Sequence, residues 1–178
     1  QFARNWRKNL RLKVIGNTGS NGKTTVKDII YQLLSTKYIG KKTEGNLNNH
    51  IGLPISLLRA EKNDDFIVLE MGMSDLGEID LLAEISKPDY GIITNIGDSH
   101  LEFLKTRENV FKAKSEIVPH VKDKLFINYD DQYLQKLDGV KISIINDKAD
   151  YYAKNIDLSG EGTTFILNDK AKLTTNLI

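Results

Sequence analysis

The stretch "VIGNTGSNGKTTVKDII" (14–30) constrains this chain more than any other. A short apolar run leads into Gly19 and Gly22. Lys23 then opens a segment with apolar residues at Val26, Ile29, Ile30, Leu33 and Leu34, the spacing of one helical face. Strand, glycine loop and helix in that order form a cradle for a phosphate chain. Glycines let the backbone curl so that its N–H groups point inward, and a helix N-terminus stands behind them. A lysine can reach the outer phosphates, and the hydroxyl beside it can ligate Mg²⁺. The residues in position for this are Gly19, Ser20, Asn21, Gly22, Lys23, Thr24 and Thr25. The Walker pattern G-x-x-x-x-G-K-[ST] is met at Gly22, Lys23 and Thr24, yet its opening glycine falls on Asn17. Taken alone, the stretch is a variant phosphate loop or an ordinary glycine turn with a chance lysine.

The rest of the chain repeats the alternation. Apolar, strand-like runs occupy 11–16, 64–72, 89–97, 124–130 and 140–147, and helical periodicity occupies 23–38, 77–86, 107–121 and 131–137. The strands are apolar almost throughout, which predicts an α/β fold with a P-loop-type, mostly parallel sheet and helices on both faces. After Asp150 the texture changes. Polar and apolar residues alternate around "SGEG" and "NDK", which predicts a C-terminal antiparallel β-hairpin region over 151–178. A chain of 178 residues can bury one sizeable core, and 40% hydrophobic with 28% charged residues reads as soluble and globular. The net charge of +1 sets up no field that would recruit nucleic acid or an anionic membrane surface. No apolar run approaches the ~18 residues of a membrane span. The absence of cysteine excludes disulfides, thiolate zinc sites and a cysteine nucleophile, and fits a reducing cytoplasm. Gln1 in place of methionine reads as a fragment or a processed chain. The basic residues of "QFARNWRKNLRLK" read as the solvated face of a lead-in helix.

Beyond the loop, Glu70 ends the second strand and His100 lies just past the third. In a parallel sheet those ends face the ligand crevice, and Thr24 lies on the same edge. A hydroxyl, a carboxylate and an imidazole can therefore converge near the phosphates, with oxygen ligands the ordinary choice for Mg²⁺. His120, after Pro119, reads as a surface residue, and His50 is undecided. "GNLNNHIGLP" (45–54) is rich in amides, which donate and accept, and so suits a sugar or a peptide, or else a plain asparagine loop. Asp130 and Asp131, after the fourth strand, could as well cap a helix. Lys114, by periodicity alone, is a lysine on a solvated helix face.

These motifs together resemble the Mur ligase family. "TGSNGKT", "TEGNLNNHIGLP", "VLEMGMSDLGEID", "ITNIGDSHLE" and "FKAKSEI" follow one another in family order. The family loop G-x-x-G-K-[ST] does not require the earlier glycine, which accounts for Asn17. "GNLNNHIGLP" followed by "EMG" is most similar to the members that join D-alanyl-D-alanine to UDP-N-acetylmuramoyl-tripeptide. The resemblance implies an ATP-dependent, ADP-forming amide ligase of peptidoglycan synthesis. Its cofactors would be ATP and Mg²⁺, its substrates those two molecules, and it would act in the cytoplasm as a monomer without nucleic acid or membrane. It implies catalytic roles for Lys23, Glu70, His100 and Lys114. Metal would be held by Thr24, Glu70, His100 and, once carbamylated, Lys114. Adenine contacts would fall on Asn128 and Asp131, and acceptor contacts on Thr43, Asn46 and Asn49. Residues 1–13 would be a lead-in from an N-terminal domain and 14–178 the central ATP-binding domain, with a C-terminal ligase domain outside the chain. Such a piece would be inactive alone. The alternatives are another ligase of the superfamily, such as one like folylpolyglutamate synthetase, and a non-catalytic nucleotide-binding module.

Overall fold

The computed structural model describes residues 1–160 and 162–176. Glu161, Leu177 and Ile178, which belong to the expected hairpin region, lie outside the described residues. The chain divides into two compact units, Gln1–Leu125 and Phe126–Ile178.

The first unit is built on parallel strands in the order β2-β3-β1-β4. They are β1 (Lys13–Thr18), β2 (Gly40–Lys42), β3 (Phe66–Glu70) and β4 (Tyr90–Ile93). Every residue of β3 is buried, as expected of a strand covered on both faces. Helix α2 (Lys23–Ser35) lays Ile30, Tyr31 and Leu34 against Ile15, Phe66 and Val68. Because strand side chains alternate, Val14, Ile67 and Leu69 point to the opposite face, where they are also fully buried. That face carries α3 (Gly52–Leu58) and α4 (Glu78–Ser86). The connection leaving β1 thus runs over one face and the connection leaving β3 over the other. The crevice outside the carboxyl ends of β1 and β3 is a topological switch point, where open α/β sheets bind ligands.

Several elements differ from the sequence reading. Gly40–Lys42 is an edge strand too short and too polar to show a period. Part of the amide-rich stretch is helix α3, into whose first turn Pro54 fits because no intrahelical N–H is needed there. Helix α6 (Arg107–Ser115) stops early and gives way to a 3-10 turn at Val118–His120, after α5 (Leu101–Leu104). The lead-in is helical, α1 (Phe2–Asn9), but its basic face is not simply solvated. Arg7 is nearly covered and donates to Ser86 O, Lys87 O and the Asp89 carboxylate. Burial pushes its guanidinium below the ordinary arginine value, with Asp89 opposing.

The second unit holds all but the first two residues of β5 (Lys124–Asn128), with β6 (Val140–Ser143), β7 (Tyr151–Asp157), β8 (Thr163–Leu167) and β9 (Ala171–Thr175). The expected hairpins are present, since β7–β8 and β8–β9 are antiparallel. Yet β7 also pairs parallel with β6, as β6 does with β5. The segment expected as a short helix at 131–137 is a 3-10 turn, Leu134–Lys136. Among the described residues no helix is long and apolar enough to cross a membrane.

Candidate active site

After β1 the chain turns through 19–22 into α2. Gly19 has φ 148°, and a Cβ there would lie 1.8 Å from Thr94 Oγ1, so no other residue fits. Gly22, at φ 78°, is the residue before the first turn of α2 and has open space around it. The loop is laced to the segment leaving β4. Ser20 N donates to Asn95 O (3.0 Å), Asn21 N to Asn95 Oδ1 (3.0 Å), and Thr94 Oγ1 to Asn21 O (2.6 Å). Ser20 Oγ accepts from Gly97 N and from Ser99 Oγ. Ser20 is accordingly buried, and its hydroxyl is spent inside the protein. Thr94 and Asn95, which hold the loop's shape, lie in the "ITNIGDSHLE" stretch, where the sequence singled out only His100. Thr25 is exposed on the first turn of α2.

Asn17, in the place of the missing Walker glycine, is fully buried. Its Nδ2 donates to Lys23 O at 2.6 Å and its backbone O accepts from Met71 N. It ties β1 to the first turn of α2, a link that glycine could not make. Its Oδ1 is buried without a hydrogen-bond partner.

In the strand pairing Asn17 stands opposite Glu70. Glu70 is the last residue of β3 and 3% exposed. Oε2 accepts from Thr24 Oγ1 at 2.9 Å and Oε1 from Asn48 Nδ2 at 2.9 Å, and Lys27 Nζ lies 3.7 Å from Oε2. The Glu70 N–H donates to Thr43 Oγ1 (2.9 Å), and Thr43 itself is fully buried. Thr43 thus fixes the end of β3, while Asn48, unmarked in the sequence reading, grips the carboxylate. Asn49 Oδ1 accepts from Ile51 N and Gly52 N and closes the turn into α3. Asn46 is exposed beside it.

Cations gather on the same edge. Lys23 Nζ folds back onto Gly19 O (2.8 Å) and Ser20 O (3.4 Å). Burial pushes its ammonium below the ordinary lysine value, with the Glu70 carboxylate opposing. Lys114, read from periodicity as solvated, is 1% exposed on α6. Burial, assisted by the Lys23 charge, lowers its pKa to about 7. Among the described residues its amine has no hydrogen bond and no acidic partner. His100 precedes α5 at φ 58°. Burial and then Lys114 and Lys23 push its imidazole down, and Glu78 opposes them. Lys23, Lys114 and His100 therefore sense one another's charge.

Thr24 and Glu70 are a fitting donor pair for Mg²⁺, an ion that takes one or two protein ligands and completes its shell with phosphate oxygens and water. No cluster of three or more His, Asp or Glu side chains suited to a metal forms among the described residues. His100 and Lys114 are linked by charge to Lys23, and Lys23 in turn to Glu70. Asn128 and Asp131 lie in the second unit. Asn128 Oδ1 accepts from Asp130 N, and Asp131 Oδ1 accepts from Tyr133 N and Leu134 N at the head of the 3-10 turn. His120 pairs with Asp80 at 2.7 Å.

Comparison with known proteins adds a separate line. The sequence model described as Mur ligase middle domain matches residues 18–178. The UDP-N-acetylmuramoyl-tripeptide--D-alanyl-D-alanine ligase of Bacillus subtilis (strain 168) is 43% identical over 171 residues, which is 94% of this chain and 37% of that protein. The protein of the same name from Borreliella burgdorferi is 50% identical over 106 residues, 60% of this chain and 23% of that one. Among solved structures, MurF from Acinetobacter baumannii superposes with a TM-score of 0.90 at 30% identity, covering 98% of this chain and 41% of that one. MurF ligase from Thermotoga maritima in complex with ADP gives a TM-score of 0.88 at 34% identity, covering 97% and 42%. The chain thus spans about two fifths of the longer proteins it matches over nearly its whole length.

Proposed function

Because the chain belongs to the Mur ligase family, whose middle domain it carries, we propose that it is the nucleotide-handling part of an ATP-dependent, ADP-forming amide ligase. The enzyme joins D-alanyl-D-alanine to UDP-N-acetylmuramoyl-tripeptide in peptidoglycan precursor synthesis. The observation that carries the reading is the Thr24–Glu70 hydrogen bond, which puts the phosphate loop and the carboxylate of β3 into one crevice. The 43% identity to the Bacillus subtilis ligase supports the choice of substrates.

Two anions must meet in this reaction, the acceptor carboxylate and the triphosphate. The carboxylate oxygen attacks the γ-phosphorus and ADP leaves, giving an acyl phosphate. The amine of D-alanyl-D-alanine then attacks the acyl carbon, and phosphate departs as the amine loses its proton. The N–H groups at the head of α2 and the Lys23 ammonium neutralise the phosphates. Thr24 and Glu70 would hold Mg²⁺, which supplies further charge neutralisation between the reacting anions. An amine that titrates near neutrality is partly free base, so Lys114 can add to CO₂ with loss of a proton. The resulting carbamate would put an anionic oxygen ligand next to Lys23 and His100. Asn46 and Asn49 would face the acceptor, and Asn128 and Asp131 the adenine. The proposal includes a monomeric cytoplasmic enzyme, and it assigns ligation to the longer protein, not to these residues alone.

The test is ADP and phosphate release by the full-length protein, with each substrate omitted in turn. Release that needs both the muramoyl-tripeptide and D-alanyl-D-alanine is expected. Release that proceeds without the acceptor would favour a nucleotide-driven switch instead. The same assay on the 178-residue chain should show no ligation.

A further inference from the structure

Lys27 is one of the few buried charges among the described residues. It lies one helical turn beyond Lys23 on α2, and its side chain is 4% exposed. Its Nζ stands 3.7 Å from Glu70 Oε2, on the oxygen that also accepts from Thr24. At that distance it is a Coulombic neighbour and not a committed hydrogen-bond donor. On its other side it lies 3.5 Å from Asp28 Oδ1, which Lys42 Nζ contacts at 2.8 Å. Lys42, Asp28, Lys27 and Glu70 thus form a row of alternating charge that runs from the edge strand β2 to the candidate metal pair.

A carboxylate as covered as Glu70 is costly without a nearby cation. Hydrogen bonds from Thr24 and Asn48 orient it, and the charge itself is balanced by Lys27, with Lys23 the other cation in range. We propose that Lys27 is the resident counter-ion of Glu70, a positioning residue that holds the place a divalent cation takes and competes with it for Oε2. This rests on the reading of Glu70 as a divalent-cation ligand. An ion arriving alone meets the Lys27 charge at close range and binds weakly. One arriving with the phosphates brings anions that offset that charge. Lys27 would thereby make metal binding at Glu70 depend on nucleotide, and Asp28 would moderate it by sharing the Lys27 charge.

The experiment measures Mn²⁺ binding by electron paramagnetic resonance in the full-length protein without nucleotide. Lys27→Met should bind Mn²⁺ roughly tenfold more tightly than wild type, the order expected for removing a unit charge near a partly screened divalent site. Lys27→Arg keeps the charge and should stay within about twofold. Asp28→Asn leaves Lys27 wholly to Glu70 and should weaken Mn²⁺ binding by about threefold, a change of opposite sign. Asp28 is part-exposed, so this variant decides the matter even where Lys27→Met fails to fold. A merely structural lysine would lower the melting temperature in Lys27→Met without tightening Mn²⁺ binding, and that result overturns the proposal. So does an unchanged affinity in Asp28→Asn. Glu70→Gln separates the two levels. If Mn²⁺ affinity is indifferent to Glu70→Gln, the metal reading and this proposal fall together. If Glu70→Gln weakens binding while the Lys27 and Asp28 variants match wild type, only this proposal falls.

Discussion

The two units of this chain are built on opposite plans. In the first, β3 is buried along its whole length and its neighbours on both faces are apolar. In the second, β9 exposes all but one of its residues, and the buried apolar side chains among the described residues reduce to Ile127, Leu134 and Ala149. Buried charges follow the same division. Glu70, Lys27 and Lys114 all lie in the first unit, on β3, α2 and α6. The lesson is that low-dielectric chemistry requires a core to stand on. A carboxylate or an amine can be held without water only where the surrounding burial outweighs the desolvation cost. The second unit relies on main-chain pairing and on exposed pairs such as Tyr152–Asp169.

The sharpest way to break that contrast is by core truncation. Ile67→Ala, at a fully buried site in β3, should cost about 2–5 kcal/mol in urea unfolding. Leu173→Ala, at a site 41% exposed in β9, should cost less than about 1 kcal/mol. Equal losses would show that the hairpins carry as much stability as the parallel sheet. Next in size comes nucleotide affinity. Lys23→Ala should weaken binding of an ATP analogue by roughly 100-fold in the folded full-length protein, since it removes a charge-assisted contact from the loop. Asn128→Ala should weaken it less than about fivefold. Calorimetry on the pair would reverse the assignment if Asn128 proved the costlier loss.

A third contrast between the units is a pH slope. Lys114 releases its proton near 7 in the folded protein, whereas an unfolded lysine keeps it to about 10.5. Between those values the unfolded chain binds more protons, so stability rises with pH across that window. Lys114→Met should remove most of the rise and leave the part that the lowered Lys23 ammonium contributes. Lys154, in the second unit, is shifted the other way by its hydrogen bond to Asp169 and is protonated in both states below 10.5. Lys154→Met should therefore leave the slope as it is. Thermal unfolding from pH 7 to pH 10 distinguishes the variants, and an undiminished slope in Lys114→Met would assign it to another group.

Local order in the sequence was enough for much of this. The 19–24 loop, its flanking strand and helix, and the sequence of motifs along the chain are contiguous signals, so the α/β fold and the family resemblance could be read directly. Glu70 and Thr24 could be brought to one edge by the rule that parallel strands share a ligand-binding end. Contacts between residues far apart in the chain could not be read. Thr43, expected at the acceptor, is buried and accepts from the Glu70 N–H, 27 residues on. Arg7 looked solvated and is held by Asp89, 82 residues away. Asn48 and Lys27 lie inside stretches the sequence marked, but nothing in the spacing singled them out, yet both reach Glu70. Lys114 had the spacing of a surface lysine. Spacing along a helix says which residues share a face, and only the packing of other elements says whether that face is covered. Whether these side chains are charged, paired or neutral follows from how much water remains around them, a quantity set when distant segments close over one another.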